Sequence, residues 1–433
     1  MATKHVELAV VGGGLNGMTL GIACASAGLT VAVIDREDPA TMLGAGFDGR
    51  TSAIAYGSMR VLDGIGVRPL LADRAQPILE IRVADNSSPL FLHYDHREIG
   101  DVPLGWIVEN RVLRRALHER AGHLPNLQLI APTRVTHWND LLLSVVPANA
   151  GTQGGRPSPT LDSRFRGNDG KSFGEIQLAD GNTIRAELIA AADGKNSPLR
   201  EAAGIRTVTW SYPQIGIVAT VRHERPHRGV AVEHFLPAGP FAILPMTENR
   251  SSIVWTERAD LAPKLLALDD AAFHRELAGR FGDFLGAISV EGPRWSYPLA
   301  FLHAATYVAP RLVLVGEAAH VIHPIAGQGL NLGIRDTAAL AECLVDGRRL
   351  GLDLADATML ARYQHWRRFD NIMLAGVTDG LNRLFSNAVP PVKLARDLGL
   401  AAVGQVPPLK RLFMRHAMGM VGELPRLVRG EAL

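Results

Sequence analysis

Cysteine is almost absent from this chain. Its two cysteines, Cys24 and Cys343, sit among alanines in helical patterns. Such usage excludes a disulfide framework and a cysteine-based zinc site, and it fits a reducing compartment. Long apolar runs are missing too: no run of roughly 18 uncharged apolar residues could span a bilayer. The first apolar run begins at residue 6, which leaves no room for a secretory leader, so a cytoplasmic location is the expectation. There is no Walker loop and no serine in a nucleophile-elbow context. Without a metal or a strong nucleophile of its own, the chain must take its chemistry from a bound cofactor. The 433 residues are 47% apolar and 20% charged with a formal net charge of +2, which describes a globular protein of two or three domains and gives no reason to expect nucleic acid.

Glycine, by contrast, is placed with purpose. An apolar run at 6–11 leads into Gly12-Gly13-Gly14-Leu15-Asn16-Gly17, a helical pattern to Ala27, a second apolar run at 30–34 and then Asp35. Strand, glycine turn, helix, strand and acid in this register form the dinucleotide fingerprint. Gly12, Gly14 and Gly17 permit the tight turn and close approach of a pyrophosphate, and Asp35 accepts from a ribose hydroxyl. Residues 311–336 give a second such segment: an apolar strand ending at Gly316, the acceptor Glu317, and Gly327-Gln328-Gly329 leading into a helix expected to begin near Leu330 and to run through Asn331. The free N–H groups of that helix start suit the N1–C2=O2 edge of a reduced flavin, and a GQG turn brings backbone against a flat ring. A third apolar strand, 188–192, runs into Asp193-Gly194 with Arg200 beyond.

Together these segments resemble the single-component FAD-dependent aromatic hydroxylases, and HPIAGQGLNLGIRD at 323–336 resembles their ubiquinone-biosynthesis branch. The resemblance extends to DGRTSAIA at 48–55, IVENRVLRRAL at 107–117, ADGKNSPLR at 192–200 and YPLAFLHAATYVAPRLVLVGEAAH at 297–320. It implies an α/β fold: a Rossmann-like FAD-binding domain of the aromatic-hydroxylase type (1–75, 105–205 and 290–380), an inserted antiparallel β-sheet substrate domain (76–104 and 206–289), and C-terminal helices. It implies that Arg50, spaced from Asp48, reaches the FAD diphosphate; that Asn110 and Arg111 lie near the ribityl chain or phosphates, although a helix N-cap explains Asn110 equally well; and that Asp193 links FAD and pyridine-nucleotide binding. Glu317 departs from the family's usual Asp, which alters the ribityl contact rather than FAD binding. Pro324 resembles the residue lying over the flavin face. His320 and His323 are candidates for a general base toward a phenol, or structural residues of the turn.

Two segments stand apart. Residues 147–172 are rich in Gly, Pro, Ser, Asn and Asp, cannot bury enough apolar area to order themselves, and read as an enlarged hairpin loop without a catalytic role. Residues 381–433 carry eight basic and three acidic side chains together with Leu412, Phe413, Met414 and Met418. This tail suits either an anionic membrane surface or docking on the body with a solvated basic face. Alternation at 214–222, 230–236, 241–246 and 251–257 predicts an antiparallel sheet, with a hairpin turn at Glu248-Asn249-Arg250 between the last two strands; on this sheet Tyr212, His234, Phe241 and Trp255 either line a cavity or fill the core.

The resemblance implies a monooxygenase that delivers oxygen from a flavin C4a-hydroperoxide to a polyprenylated phenol. Its cofactors would be FAD and O2, with NADPH, NADH or a ferredoxin supplying electrons, and it would sit at the inner membrane surface or in a ubiquinone-biosynthesis complex. A hydroxylase of small soluble aromatics, a prenyl reductase of similar fold and a non-catalytic flavoprotein subunit are the rival expectations.

Overall fold

The computed structural model describes residues 2–44, 49–85, 91–140, 173–385 and 405–433. The insertion expected at 147–172 and Asp48 lie outside them. At the centre of the first sheet, Thr3–Val11 pairs in parallel with Thr183–Ala191 on one side and Val31–Ile34 on the other. Leu312–Leu314 extends one edge and Leu127–Ile130 the other. These central runs read as continuously apolar because helices cover both faces; Leu8, Ala9, Val10, Leu188, Ile189 and Val313 are all fully buried. Leu15–Ser26 and Gln328–Arg349 are the principal covering helices, and both start at the carboxyl ends of the parallel strands.

The second sheet has eight strands in the order His320–Val321, Ile288–Ala304, Thr207–His223, Arg250–Arg258, Gly239–Met246, Val230–Leu236, Glu80–Asp85 and Phe91–Asp95. Its period-2 alternation separates two faces. Ile217, Val221, Phe241, Ile243, Ile253 and Trp255 pack on Phe273, Leu277 and Phe281 of the helix Asp270–Phe281. Val218, Ala242, Leu244 and Val254 point the opposite way, toward the first domain. Gly239–Met246 and Arg250–Arg258 form the expected hairpin, with Glu248 and Asn249 at positive φ in its turn. A three-stranded sheet of Thr51–Ala55, Gly105–Glu109 and Gln76–Ile78 joins the two units.

Some boundaries differ from the sequence expectation. Ile288–Ala304 belongs throughout to the second sheet, so that sheet reaches well past residue 289, because thirteen of its residues find antiparallel partners on Thr207–His223. Its far end pairs with His320–Val321, which draws the 316–327 loop against the second sheet. The helix expected near Leu330 starts at Gln328, since Gly327 adopts the left-handed conformation that ends the preceding turn. The basic C-terminal helix Pro407–Ala417 is docked along one side: Met414 and Met418 pack with Ile78, Leu104 and Ala231, while Leu412 and Phe413 face outward. No helix among the described residues is long and apolar enough to cross a membrane.

Candidate active site

Between the two sheets lies a cavity of about 1590 Å³, lined at one end by Gly12, Gly14 and Asp35 and at the other by the apolar face of the second sheet. A single drug-sized pocket occupies roughly 300–1,000 Å³, so this space suits a dinucleotide and a second ligand together.

The glycines at the first end divide by role. A Cβ on Gly12, at φ +107°, would overlap the Ala192 carbonyl, and one on Gly17 would overlap the Gly12 carbonyl. These two are set by packing of strand against helix. Gly14 has open space where its Cβ would be, at the N-cap of Leu15–Ser26, a helix start without a side-chain cap. That is the cradle a phosphate would fill. Asp35, at the tip of Val31–Ile34, accepts from the Gly13 and Glu37 N–H groups, which fix its carboxylate on the cavity wall.

Farther along, the side chains of helix Asn110–Gly122 separate by angle. Asn110 is not the N-cap; that position belongs to Glu109, and the Asn110 amide oxygen accepts from Ser52 at 2.6 Å while lining the cavity. Arg111 is turned away and pairs with Glu109 at 2.6 Å. The cavity instead receives Arg114, four residues from Asn110 and therefore on its face of the helix. Arg50 lines the same wall with its guanidinium 4.7 Å from the centre of the Tyr297 ring.

Asp193, Gly194 and Asn16 also reach the cavity. The Asp193 Oδ1 and Asn16 Oδ1 atoms are buried without partners among the described residues, and burial pushes the Asp193 carboxyl upward against the opposing hydrogen bonds from Ser197 and the Leu199 N–H. Such atoms call for a ligand donor. Gly316, at φ +60°, leaves no room for a side chain beside the Asn16 amide, and Glu317 follows on the cavity surface. Gly327, Gln328, Gly329, Leu330 and Asn331 line the wall at the start of helix Gln328–Arg349, whose N-cap Gly327 supplies no side-chain bond, and Gly329 again faces open space. The Asn331 amide is engaged internally: it donates to the Ala53 and Gly327 carbonyls and accepts from the Ala55 N–H, clamping Thr51–Ala55 to the helix start. Orphaned polar atoms, two uncapped helix starts and open glycines fit an FAD molecule laid along this groove.

Beneath the flavin-side loop is a buried charge cluster. Asp336, fully buried, accepts from His320 Nε2, from Arg367 Nε at 2.9 Å, from Asn371 Nδ2 at 3.1 Å and from the Gly316 N–H at 3.3 Å. Burial alone would raise its carboxyl, but His320 and then Arg367 hold it well below the usual carboxylate range. His320 lines the cavity, yet its Nε2 is spent on Asp336. Pro324 faces the cavity and His323 does not. The His323 ring is buried between Tyr212, edge-on at 5.1 Å, and Gln214 Oε1 at 3.3 Å, and burial lowers its pKa to about 4.

On the second sheet, Phe241 and Trp255 fill the core and Tyr212 donates to Asp379. His234 points away from the cavity, whereas its neighbour Glu233 lines it. The sequence reading missed Arg114, Asn16 and Glu233. Helical spacing from Asn110 identifies the first, and strand alternation from Phe235 the last. No cluster of three metal-ligating groups occurs among the described residues.

Comparison with known proteins agrees with this geometry. A family model described as an FAD binding domain matches residues 5–156 and 159–369. The chain is 52% identical to a ubiquinone hydroxylase, UbiL, of Rhodospirillum rubrum, over all of this chain and 94% of that one. It is 33% identical to the 3-demethoxyubiquinol 3-hydroxylase of Escherichia coli, over 97% of this chain and all of the relative. Among solved structures, p-nitrophenol 4-monooxygenase PnpA from Pseudomonas putida superposes with a TM-score of 0.74 at 19% identity, covering 96% of this chain and 99% of that one, a likeness of fold.

Proposed function

Because the chain belongs to the FAD-dependent hydroxylases of ubiquinone biosynthesis, and with them is an FAD-dependent aromatic monooxygenase, we propose that its substrate is a polyprenylated phenol admitted from a membrane surface. The observation that carries this reading is the form of the cavity beyond the flavin groove. Its walls are Ile78, Ile81, Val83, Leu92, Val218 and Leu244, and its rim is formed by Phe369, Met373, Val377 and Phe413. These four rim residues are 42–67% exposed, an apolar border on helices Ala357–Phe385 and Pro407–Ala417. A soluble phenol has no use for such a border; a prenyl tail leaving a lipid does.

Bound FAD supplies the redox and oxygen chemistry. The chain's own residues do the rest. Gly12, Gly14 and Asp35 would seat the adenosine half, Arg50, Asn110 and Arg114 would line the diphosphate and ribityl path, and the Gly327–Asn331 helix start would stabilise negative charge on the ring edge. The Pro324 turn and the apolar sheet face keep water from the reacting centre. His323 serves as a packed residue of the turn, and Pro324, on the cavity wall, would lie toward the flavin. No second dinucleotide fingerprint is present in the sequence, so the electron donor, NADPH or NADH, visits without a fold of its own.

Oxygen uptake and product mass for a geranylated phenol and for phenol itself test the reading. One oxygen atom gained on the prenylated ring, with little turnover of phenol, is the expected result; equal rates on both reject the lipid substrate. Co-sedimentation with vesicles containing anionic lipid tests the rim, and no binding at low salt rejects it.

A further inference from the structure

The substrate half of the cavity contains a cross-strand row on the second sheet. Leu92 pairs with Val83, Val83 with Glu233, Glu233 with Ala242, Ala242 with Val254, and Val254 with Val218. All six face the cavity, and five are apolar. Glu233 has no hydrogen-bond or ion-pair partner among the described residues. A half-buried carboxylate without a partner on an apolar wall is unfavourable, and an apolar residue would serve a purely structural purpose better.

The position of Glu233 along the cavity is also defined. Ala231, two residues before it on the same face, packs with Met414 and Met418 at the tail. Phe235, two residues after it, packs with Ile325 of the flavin-side turn. Glu233 therefore stands midway between the prenyl entrance and the Pro324 turn. We infer that Glu233 is the polar anchor of the substrate cavity: its carboxylate accepts the phenolic O–H of the substrate and takes that proton as the ring is oxygenated.

This inference rests on the phenol reading above. In the step, the phenol O–H bond breaks, the proton moves to a Glu233 Oε, and the bonding pair stays on oxygen and feeds the ring. Electron density rises at the ortho and para carbons, where an electrophilic oxygen attacks. The proton leaves to solvent when product is exchanged. A carboxylate of ordinary strength is too weak a base to assist a phenol efficiently, but burial pushes Glu233 up to about 7, near the working pH.

The test uses FAD-loaded wild type, Glu233→Gln and Glu233→Leu, titrated with a geranylated phenol and with its methyl ether while flavin absorbance is followed. Wild type should prefer the phenol by about 10- to 100-fold, the worth of a charge-assisted hydrogen bond. In Glu233→Leu the preference should vanish with FAD content unchanged. The isosteric Glu233→Gln should keep phenol affinity but lose about 100-fold in turnover, since an amide accepts a hydrogen bond and not a proton. A Leu variant that retains the preference, or a Gln variant that turns over at the wild-type rate, overturns the inference. If wild type oxygenates neither compound yet shows a Glu233-dependent phenol preference, the proposed reaction fails and the anchor stands.

Discussion

Asp336→Asn tests whether the charge cluster beneath the flavin-side loop holds that loop in place. The substitution preserves shape and removes one negative charge from a position with no solvent exposure. Arg367, 1% exposed, then keeps only Asp370 at 2.7 Å and Asn371 at 3.1 Å, while His320 faces an amide. Breaking a buried pair from one side costs up to about 3–5 kcal/mol, and the Asp370 pair that Arg367 keeps holds the loss toward the lower end of that range. A domain is stable by only about 5–15 kcal/mol, so the loss should be plain in the urea midpoint of the apoprotein. FAD occupancy should fall as well, since the Gly316 N–H loses a carboxylate acceptor one residue before Glu317. The double variant Asp336→Leu with Arg367→Met should be less damaged than Asp336→Asn, since neither charge remains buried alone. A loss below about 1 kcal/mol in Asp336→Asn would refute the argument, because that is the range of an exposed pair.

Gly12→Ala should destabilise the apoprotein, with its Cβ forced on the Ala192 carbonyl, whereas Gly14→Val should leave stability intact and abolish FAD retention; denaturation midpoint and flavin content together separate the two. Arg114→Ala should weaken FAD about 10- to 100-fold, the range for a charged hydrogen bond, while Arg111→Ala, which loses only the Glu109 pair, should bind FAD as wild type does in an equilibrium titration. Burial lowers His303 and His323 to about 4, so below the ordinary value of about 6.5 the unfolded chain binds protons that the native chain does not. Stability should therefore drop as pH falls from about 6.5 to 4, by roughly 3 kcal/mol per histidine. His323→Gln should flatten that slope, and an unchanged slope speaks against the assignment.

How far the sequence could be read depended on which contacts decide each feature. The βαβ unit was legible because strands buried on both faces read as unbroken apolar runs, and the glycine turn carries its own geometry from Gly12 to Gly17. The Glu248-Asn249 hairpin was legible from its flanking alternation. Choosing Arg111 over Arg114 failed because a one-residue step turns a helical side chain by about 100°, and only the position of Asn110 in the folded chain shows which face meets the cavity. His323 and Pro324 are adjacent in sequence but face opposite ways across one loop, a division fixed by Tyr212 and Gln214 from a distant strand. Glu233 and His234 alternate as any strand does. Their orientations are set by the helix Asp270–Phe281, which covers one face of the sheet and leaves the other to the cavity.

The long strand Ile288–Ala304 has a bearing on cooperativity. Its first half is paired where Val290 borders the Phe281 core, and its last residues are bonded to His320–Val321 beside the Asp336 cluster. Neither the second sheet nor the 316–327 loop can open there without disturbing the other. The protein should melt in a single transition, and amides of His320 and Val321 should exchange no faster than those of Val218 in the same sheet. A ligand held in either half would then slow exchange in both, so occupancy of one site would be felt at the other as rigidity, with no change of shape required.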